Sequence, residues 1–123
     1  LRVNMRKLIG VDSLEDAKAV AIRHYKALME NDYETWRETL VDYIKEKADV
    51  KGSSAYFWWT TGRKYVEKYG VYYTFYREAS VDDPNRRKFF FKRKNPDGTD
   101  RGMPVPIVLV KENDQWKVES ASY

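Results

Sequence analysis

His24 is the residue whose type is best suited to chemistry, and it is the only histidine among 123 residues. An imidazole titrates near neutrality and can therefore act as a general acid or base. Tyr25 follows it directly and is the second candidate catalytic residue. The alternative interpretation is a histidine at the edge of the core, hydrogen-bonded to a tyrosine or to a main-chain carbonyl. The sequence leaves both interpretations open.

An acidic partner for His24 is not evident. An acid–base pair in a dry cavity needs two groups whose surroundings drive their pKa values apart. The chain has 19 Asp and Glu residues, but none is isolated among apolar neighbours. Glu38 and Asp42 belong to a predicted second helix, and Glu78 alternates with Arg77 on a predicted strand. Most carboxylates are therefore expected at the surface.

The composition argues against metal and cofactor chemistry. Cysteine is absent, which excludes disulfides, thiolate nucleophiles and cysteine-ligated metals. A single histidine argues against a histidine-based zinc site. The chain also contains no glycine-rich phosphate loop and no convincing Ser-His-Asp order. We therefore expect neither a metal nor a cofactor.

The strongest basic run covers residues 87–94, in which three phenylalanines lie between basic residues. Such interleaving can bind single-stranded nucleic acid through stacking and phosphate contacts. Strand alternation offers a plainer account, with Phe89 and Phe91 on the concave side and the lysines facing water, where they discourage aggregation. The net charge is only +4 in a chain of which 34% is charged, so nucleic-acid binding is not expected.

Helical spacing dominates the chain up to Gly70. A first helix is predicted over residues 14–30, with Ser13 as its N-cap and a loose lead-in over residues 1–11. Asp32 is placed to cap a second helix, and Ser53 a third that ends at Gly70. The second helix is predicted to bury Trp36, Leu40 and Ile44, and the third Trp58, Gly62, Tyr65, Val66 and Tyr69.

Gly62 lies within an apolar stripe, where glycine costs a helix about 1 kcal/mol relative to alanine. Its presence predicts a close approach between the third helix and a sheet. Residues 45–52 are charged and end at Gly52, which indicates a helix end followed by a loop.

After Gly70 the apolar period changes to two. Short loops between consecutive strands impose antiparallel pairing, with Asn95-Pro96-Asp97-Gly98 as the clearest hairpin turn. The fold class is therefore α+β, with N-terminal helices packed on an antiparallel β-meander of about four strands, in a single domain over residues 1–123. The predicted strands cover residues 71–79, 87–94, 105–111 and 115–122.

Two strands carry further signals. Pro104 and Pro106 both lack an N–H on the same side of the third strand, which predicts that its start is unpaired on one side or bulged. The first strand is apolar on both faces, which favours a second face that is also covered; the alternative is a set of singly exposed tyrosines. Its predicted faces are Val71, Tyr73, Phe75 and Arg77 on one side and Tyr72, Thr74, Tyr76 and Glu78 on the other.

The first helix and the last two strands resemble the nuclear transport factor two-like (cystatin-like) superfamily. Tyr25-Lys26-Ala27-Leu28 followed by Asn31-Asp32-Tyr33 is similar to its opening helix and turn. The run of residues 105–111 followed by Gln115-Trp116-Lys117-Val118 is similar to its closing strands. The resemblance covers most of residues 14–122 and departs at residues 41–56, where the superfamily often has a short strand.

This resemblance implies a strongly curved, cone-shaped sheet around the first helix, with a cavity whose mouth lies beside the helices. It also implies a homodimer through the outer sheet face. In the ketosteroid-isomerase branch a catalytic tyrosine lies eight residues before the aspartate of the turn, where this chain has His24. The expected ligand-binding cavity residues are His24, Tyr25, Leu28, Trp58, Tyr73, Phe75, Phe89, Phe91 and Trp116.

The superfamily contains both enzymes and non-catalytic modules, so two hypotheses follow. The leading one is a non-catalytic binding or dimerisation module that docks on a second copy or a protein partner, with room for a small apolar ligand. It depends on the 15% aromatic content, on the missing acid–base pair and on a sequence that opens without an initiator methionine, which would suit the soluble domain of a longer or exported protein. The alternative is a cofactor-free isomerase, dehydratase or hydrolase that uses His24 and Tyr25.

The start of the chain bears on its compartment. The sequence opens at Leu1 without an initiator methionine, so one expectation is a removed signal or lipoprotein anchor and an extracytoplasmic domain. An ordinary truncation is the other. No run approaches the ~18 apolar residues of a membrane span.

Overall fold

The computed structural model describes residues 15–123. A four-stranded antiparallel sheet follows the helices, and the order of the strands in the sheet is their order in the chain. The predicted α+β class and β-meander are therefore confirmed. The helices are α1 (Ala17–Met29), α2 (Tyr33–Glu38), α3 (Asp42–Lys45) and α4 (Ser54–Tyr69), and the strands are β1 (Tyr72–Ala79), β2 (Arg86–Lys94), β3 (Val105–Glu112) and β4 (Gln115–Ala121).

Local capping sets the start of α2 and both ends of α4. The Asp32 side chain accepts a hydrogen bond from the main chain at the start of α2, and Ser53 does the same for α4, as predicted. Gly70 ends α4 with φ of 66°, a left-handed conformation that glycine adopts without strain. In α1 the N-cap is Asp16, and the predicted cap Ser13 lies outside the described residues.

The predicted second helix is divided into α2 and α3, because the chain between them pairs with the sheet. Leu40 forms a parallel bridge with Val118 on β4, and the Val41 N–H donates to the Val118 carbonyl at 3.0 Å. Main-chain groups used in this way cannot continue a helix. Trp36 and Leu40 are fully buried as predicted, whereas Ile44 is half-buried.

Gly62 permits a close approach, but its neighbour is α1 and not the sheet, so that part of the prediction is wrong. A Cβ at this position would lie 2.8 and 2.9 Å from the two Leu28 methyl carbons and 3.2 Å from a ring carbon of Tyr123. The reason is layering: α1 packs against all four strands and also against α4. Of the other residues predicted on this face, Trp58, Tyr65 and Val66 pack against the core, but Tyr69 is exposed.

A bulge in β1 changes which residues face inward. The register shifts between Phe75 and Arg77, and one extra residue reverses the alternation of side chains. Arg77 therefore pairs with Phe90 on the outer face and lies 4.5 Å from its ring centre, while Glu78 pairs with Phe89. The predicted faces of β1 hold up to Phe75 and are wrong for Arg77 and Glu78.

The proline prediction is confirmed at the start of β3. Pro104 precedes the strand, and Pro106 is paired with β2 through Phe90. The ladder with β4 begins only at Ile107, although the Pro106 carbonyl accepts a hydrogen bond from Ser122. The first residues of β3 thus lack a regular ladder on one side, where the missing proline N–H would have been needed.

Replacing Gly62 with alanine should destabilise the protein by about 1–3 kcal/mol, because the added methyl group overlaps the buried Leu28 side chain. This loss exceeds the gain of about 1 kcal/mol that alanine brings to an unhindered helix. Urea unfolding monitored by circular dichroism measures the difference.

The matched background is Leu28→Ala, which removes the methyl carbons that alanine at position 62 would meet. In that background we expect Gly62→Ala to be neutral or stabilising. A higher unfolding midpoint for Gly62→Ala in the otherwise unchanged protein would contradict the packing described here.

Candidate functional site around His24

His24 lies on α1 at the centre of the core and is fully buried. Its Nδ1 atom is 2.7 Å from the Thr39 hydroxyl, and that hydroxyl donates to the Trp36 carbonyl at 2.6 Å. Since a hydroxyl carries one hydrogen, the Thr39 oxygen must accept from the ring. The Nδ1 atom of His24 therefore carries the proton.

The other ring nitrogen is an acceptor with two donors. The Trp36 indole N–H reaches Nε2 at 3.1 Å, and the Tyr123 hydroxyl donates to the same atom. The indole nitrogen is also 3.3 Å from the Tyr123 oxygen, so the three groups form a closed cluster. Every polar atom of the neutral imidazole is thus paired.

The surroundings keep His24 neutral. Burial lowers its pKa from 6.5 to about 3, because a charged ring would lose its hydration. A proton on Nε2 would also face two groups that already donate to that atom. Chemically, the ring can hold Thr39, Trp36 and Tyr123 in place, but its one lone pair is directed at protein groups.

Tyr25 is equally enclosed. Its hydroxyl donates to the Ser122 carbonyl at 2.9 Å, and its ring centre lies 4.4 Å from that of Phe91 and 4.9 Å from that of Tyr73. Burial, with smaller contributions from Tyr123 and Tyr73, raises the pKa of Tyr25 well above its ordinary value. The side chain therefore stays a neutral phenol.

The nine residues predicted to line a cavity pack on one another. They form the buried core or lie directly against it, and Phe89 and Leu28 have no exposed surface. The prediction that they enclose a ligand stays a prediction. Those in the buried core are His24, Tyr25, Leu28, Tyr73, Phe89 and Phe91, and those partly buried against it are Trp58, Phe75 and Trp116.

The carboxylates considered as partners lie elsewhere. Glu38 and Asp42 both bind Lys45 at the surface, and Glu78 makes a two-point ion pair with Arg87 at the sheet edge. Within residues 15–123, His24 has no acidic hydrogen-bond partner. The same part of the chain contains no cluster of three Asp, Glu or His side chains suited to a metal.

Sequence reasoning missed Thr39 and Tyr123 as partners of His24. Tyr123 is 99 residues away along the chain, and no spacing rule joins residues so far apart. Trp36 was predicted as a core residue only, because its periodicity reports burial and not the direction of its N–H.

Comparison with known proteins supplies the fold. No protein-family model matches the chain, and no curated protein matches it either. Among solved structures, a SEC-C motif protein from Rhodopseudomonas palustris has 13% identity and a TM-score of 0.57, over 85% of this chain and 75% of that one. A cystatin-like protein of unknown function from Nostoc punctiforme has 12% identity and a TM-score of 0.54, over 82% and 81%.

A third structure is a candidate dehydratase of the NTF2-like family from Streptomyces avermitilis, with 12% identity, a TM-score of 0.54 and coverage of 90% and 92%. The chain has the cystatin-like, NTF2-like fold. This confirms the resemblance seen in the sequence. Identities this low establish the fold alone, since one NTF2-like scaffold carries many functions. Within residues 15–123, none of the helices combines the length and apolar character needed to cross a bilayer.

Replacing His24 with glutamine should flatten the acid side of the stability profile. The folded pKa of about 3 lies below the value of 6.5 for a free histidine, so the unfolded chain binds the extra proton between them. The free energy of unfolding therefore falls as the pH falls through this window, by up to about 1.4 kcal/mol per pH unit. Urea unfolding at about pH 7 and about pH 5 measures the slope.

The other titratable groups contribute equally to the pH dependence of both proteins, so their contributions cancel in this comparison. Hydrogen bonds from Thr35 and Asn85 lower the carboxyl pKa values of Asp32 and Asp83. Protonation of these carboxylates therefore lowers the free energy of unfolding of both proteins as the pH falls. Only the difference between the two slopes reports His24. Parallel profiles would show that the ring is not held neutral by burial.

Proposed function

We propose that the protein is a non-catalytic binding module that forms a homodimer through the outer face of its sheet. The observation that carries the proposal is the complete pairing of His24. A general base needs a lone pair directed at a substrate, and the Nε2 lone pair is occupied by Trp36 and Tyr123. This arrangement supports a structural role for the imidazole.

The alternative, a cofactor-free isomerase, dehydratase or hydrolase, needs a carboxylate near His24 and space for a substrate. The structure supports neither requirement. The aromatic rings of Tyr25, Trp36 and Tyr123 enclose the His24 ring, with their centres 5.4–5.8 Å from its own. The Streptomyces avermitilis protein is similar in fold only, so it gives no independent support for an activity.

The outer face of the sheet is the surface best suited to an interface. Phe90 lies outward between the inward Phe89 and Phe91 and is only half-buried. Tyr76, displaced by the bulge, is 47% exposed beside it. A sheet face with this much apolar surface is usually covered in antiparallel proteins. The remaining apolar members of this face are Tyr72, Pro106, Val108 and Val110.

Basic groups border the same aromatic rings. The Arg77 guanidinium is 4.5 Å and the Lys88 amine 5.2 Å from the Phe90 ring centre, and the Lys92 amine is 4.6 Å from that of Tyr76. In a two-fold dimer the same patch meets itself, so these charges would repel one another. The apolar contact must therefore act against a repulsion that salt can screen.

Dimerisation should accordingly strengthen with ionic strength. Sedimentation equilibrium at micromolar concentration, run at low and at high salt, measures the dimer constant. Phe90→Lys should weaken the dimer by more than about tenfold, because it places a charge at the centre of the apolar patch and adds to the repulsion between its basic groups. Circular dichroism confirms that the variant is folded.

The control is Tyr43→Lys, which changes an exposed aromatic side chain on α3, outside the sheet. This variant should dimerise like the unchanged protein. A chain that stays monomeric at both salt concentrations would contradict dimerisation through the sheet, and equal weakening by both variants would point to a different interface.

A further inference from the structure

A concave site lies away from the sheet, where α2, α4 and the loop after α3 meet. It is lined by Tyr33, Ala48, Asp49, Tyr56 and Trp59 and has a volume of about 200 Å³. Three of these five residues are aromatic and one is a carboxylate. None of them belongs to the proposed dimer interface or to the His24 cluster, so a ligand in this pocket would bind independently of both.

Packing holds two of the aromatic walls in place. The Tyr33 ring stacks on the fully buried Trp36, with centroids 5.9 Å apart. Trp59 lies 5.1 Å from Tyr33 and meets it edge to face, at 66°. The two rings therefore form a rigid corner. Ala48, which is almost completely buried, lines the same pocket.

The acidic wall is oriented as well. The Tyr33 hydroxyl donates to Oδ1 of Asp49, which holds the carboxylate beside the aromatic corner. Within residues 15–123, no lysine or arginine forms an ion pair with Asp49. Asp49 thus places a carboxylate without an ion-pair partner among these residues at the rim of the pocket.

We propose that this pocket binds a methylated ammonium group, such as trimethylammonium. Aromatic faces attract cations electrostatically, and rings around a pocket are suited to quaternary ammonium groups. The methyl groups need apolar contacts and no hydrogen bonds, while the positive charge is attracted to Asp49. An unmethylated ammonium is compact and strongly hydrated, so its entry costs more.

The size of the pocket agrees with this ligand class. Sites for drug-sized molecules have volumes of roughly 300–1,000 Å³. A pocket of about 200 Å³ accommodates a head group and leaves the rest of the ligand outside. The shared chemistry is the methylated ammonium, which a free choline-like molecule or a methylated lysine side chain can supply.

Isothermal titration calorimetry with tetramethylammonium, choline and a trimethyllysine peptide tests the proposal. We expect saturable binding, with 3,3-dimethylbutanol, the uncharged analogue of choline, at least about tenfold weaker because the charge contributes. Saturation by choline but not by the peptide indicates a free small molecule, and the reverse indicates a methylated protein. No saturation by any methylated ammonium, or equal binding of the neutral analogue, would overturn the proposal.

Two variants probe the walls separately. Asp49→Asn should lower the affinity for tetramethylammonium about tenfold, while the matched control Asp42→Asn, at an exposed carboxylate on α3, should leave it unchanged. Tyr56→Leu keeps an apolar surface without the ring and should weaken binding by a similar factor. Because Tyr56 is only half-buried, this variant is expected to fold. Unchanged affinity in both pocket variants would place the binding elsewhere.

Discussion

The hydrogen-bonded cluster around His24 is the interaction on which the rest of the structure depends. A buried imidazole destabilises a fold unless each of its polar atoms finds a partner. Here the partners come from α2, from the chain after it and from the segment that follows β4. Satisfying one ring therefore requires the end of α2 and the segment after β4, which are far apart in the chain, to converge on α1.

This convergence determines how the layers meet. Residues 39–41 pair with β4, which interrupts the helix that periodicity alone would continue and fixes Thr39 beside His24. On its other side α1 touches α4 through Leu28 and Gly62, at a distance that leaves no room for a Cβ. The helix α1 is thus enclosed between the sheet and α4, and the side chains of the core fill the interior.

Because side chains fill the interior, the two proposed binding surfaces lie on the outside of the molecule. The bulge in β1 contributes to this, because it places Arg77 on the outer face and directs Glu78 to Arg87 at the sheet edge. The outer face and the Tyr33–Asp49 pocket both combine aromatic rings with charge, but of opposite sign. Binding sites on the surface are compatible with an NTF2-like fold, since function depends on the side chains of a site and not on the scaffold.

By itself the sequence determined the features that depend on neighbours along the chain. The change of period at Gly70, the caps Asp32 and Ser53 and the inward positions of Phe89 and Phe91 follow from local geometry, and the structure agrees. The tertiary structure alone decided the division of the second helix, the bulge in β1 and the partners of His24. Each of these depends on a contact between residues far apart in the chain, and neither spacing nor propensity carries information about such a contact.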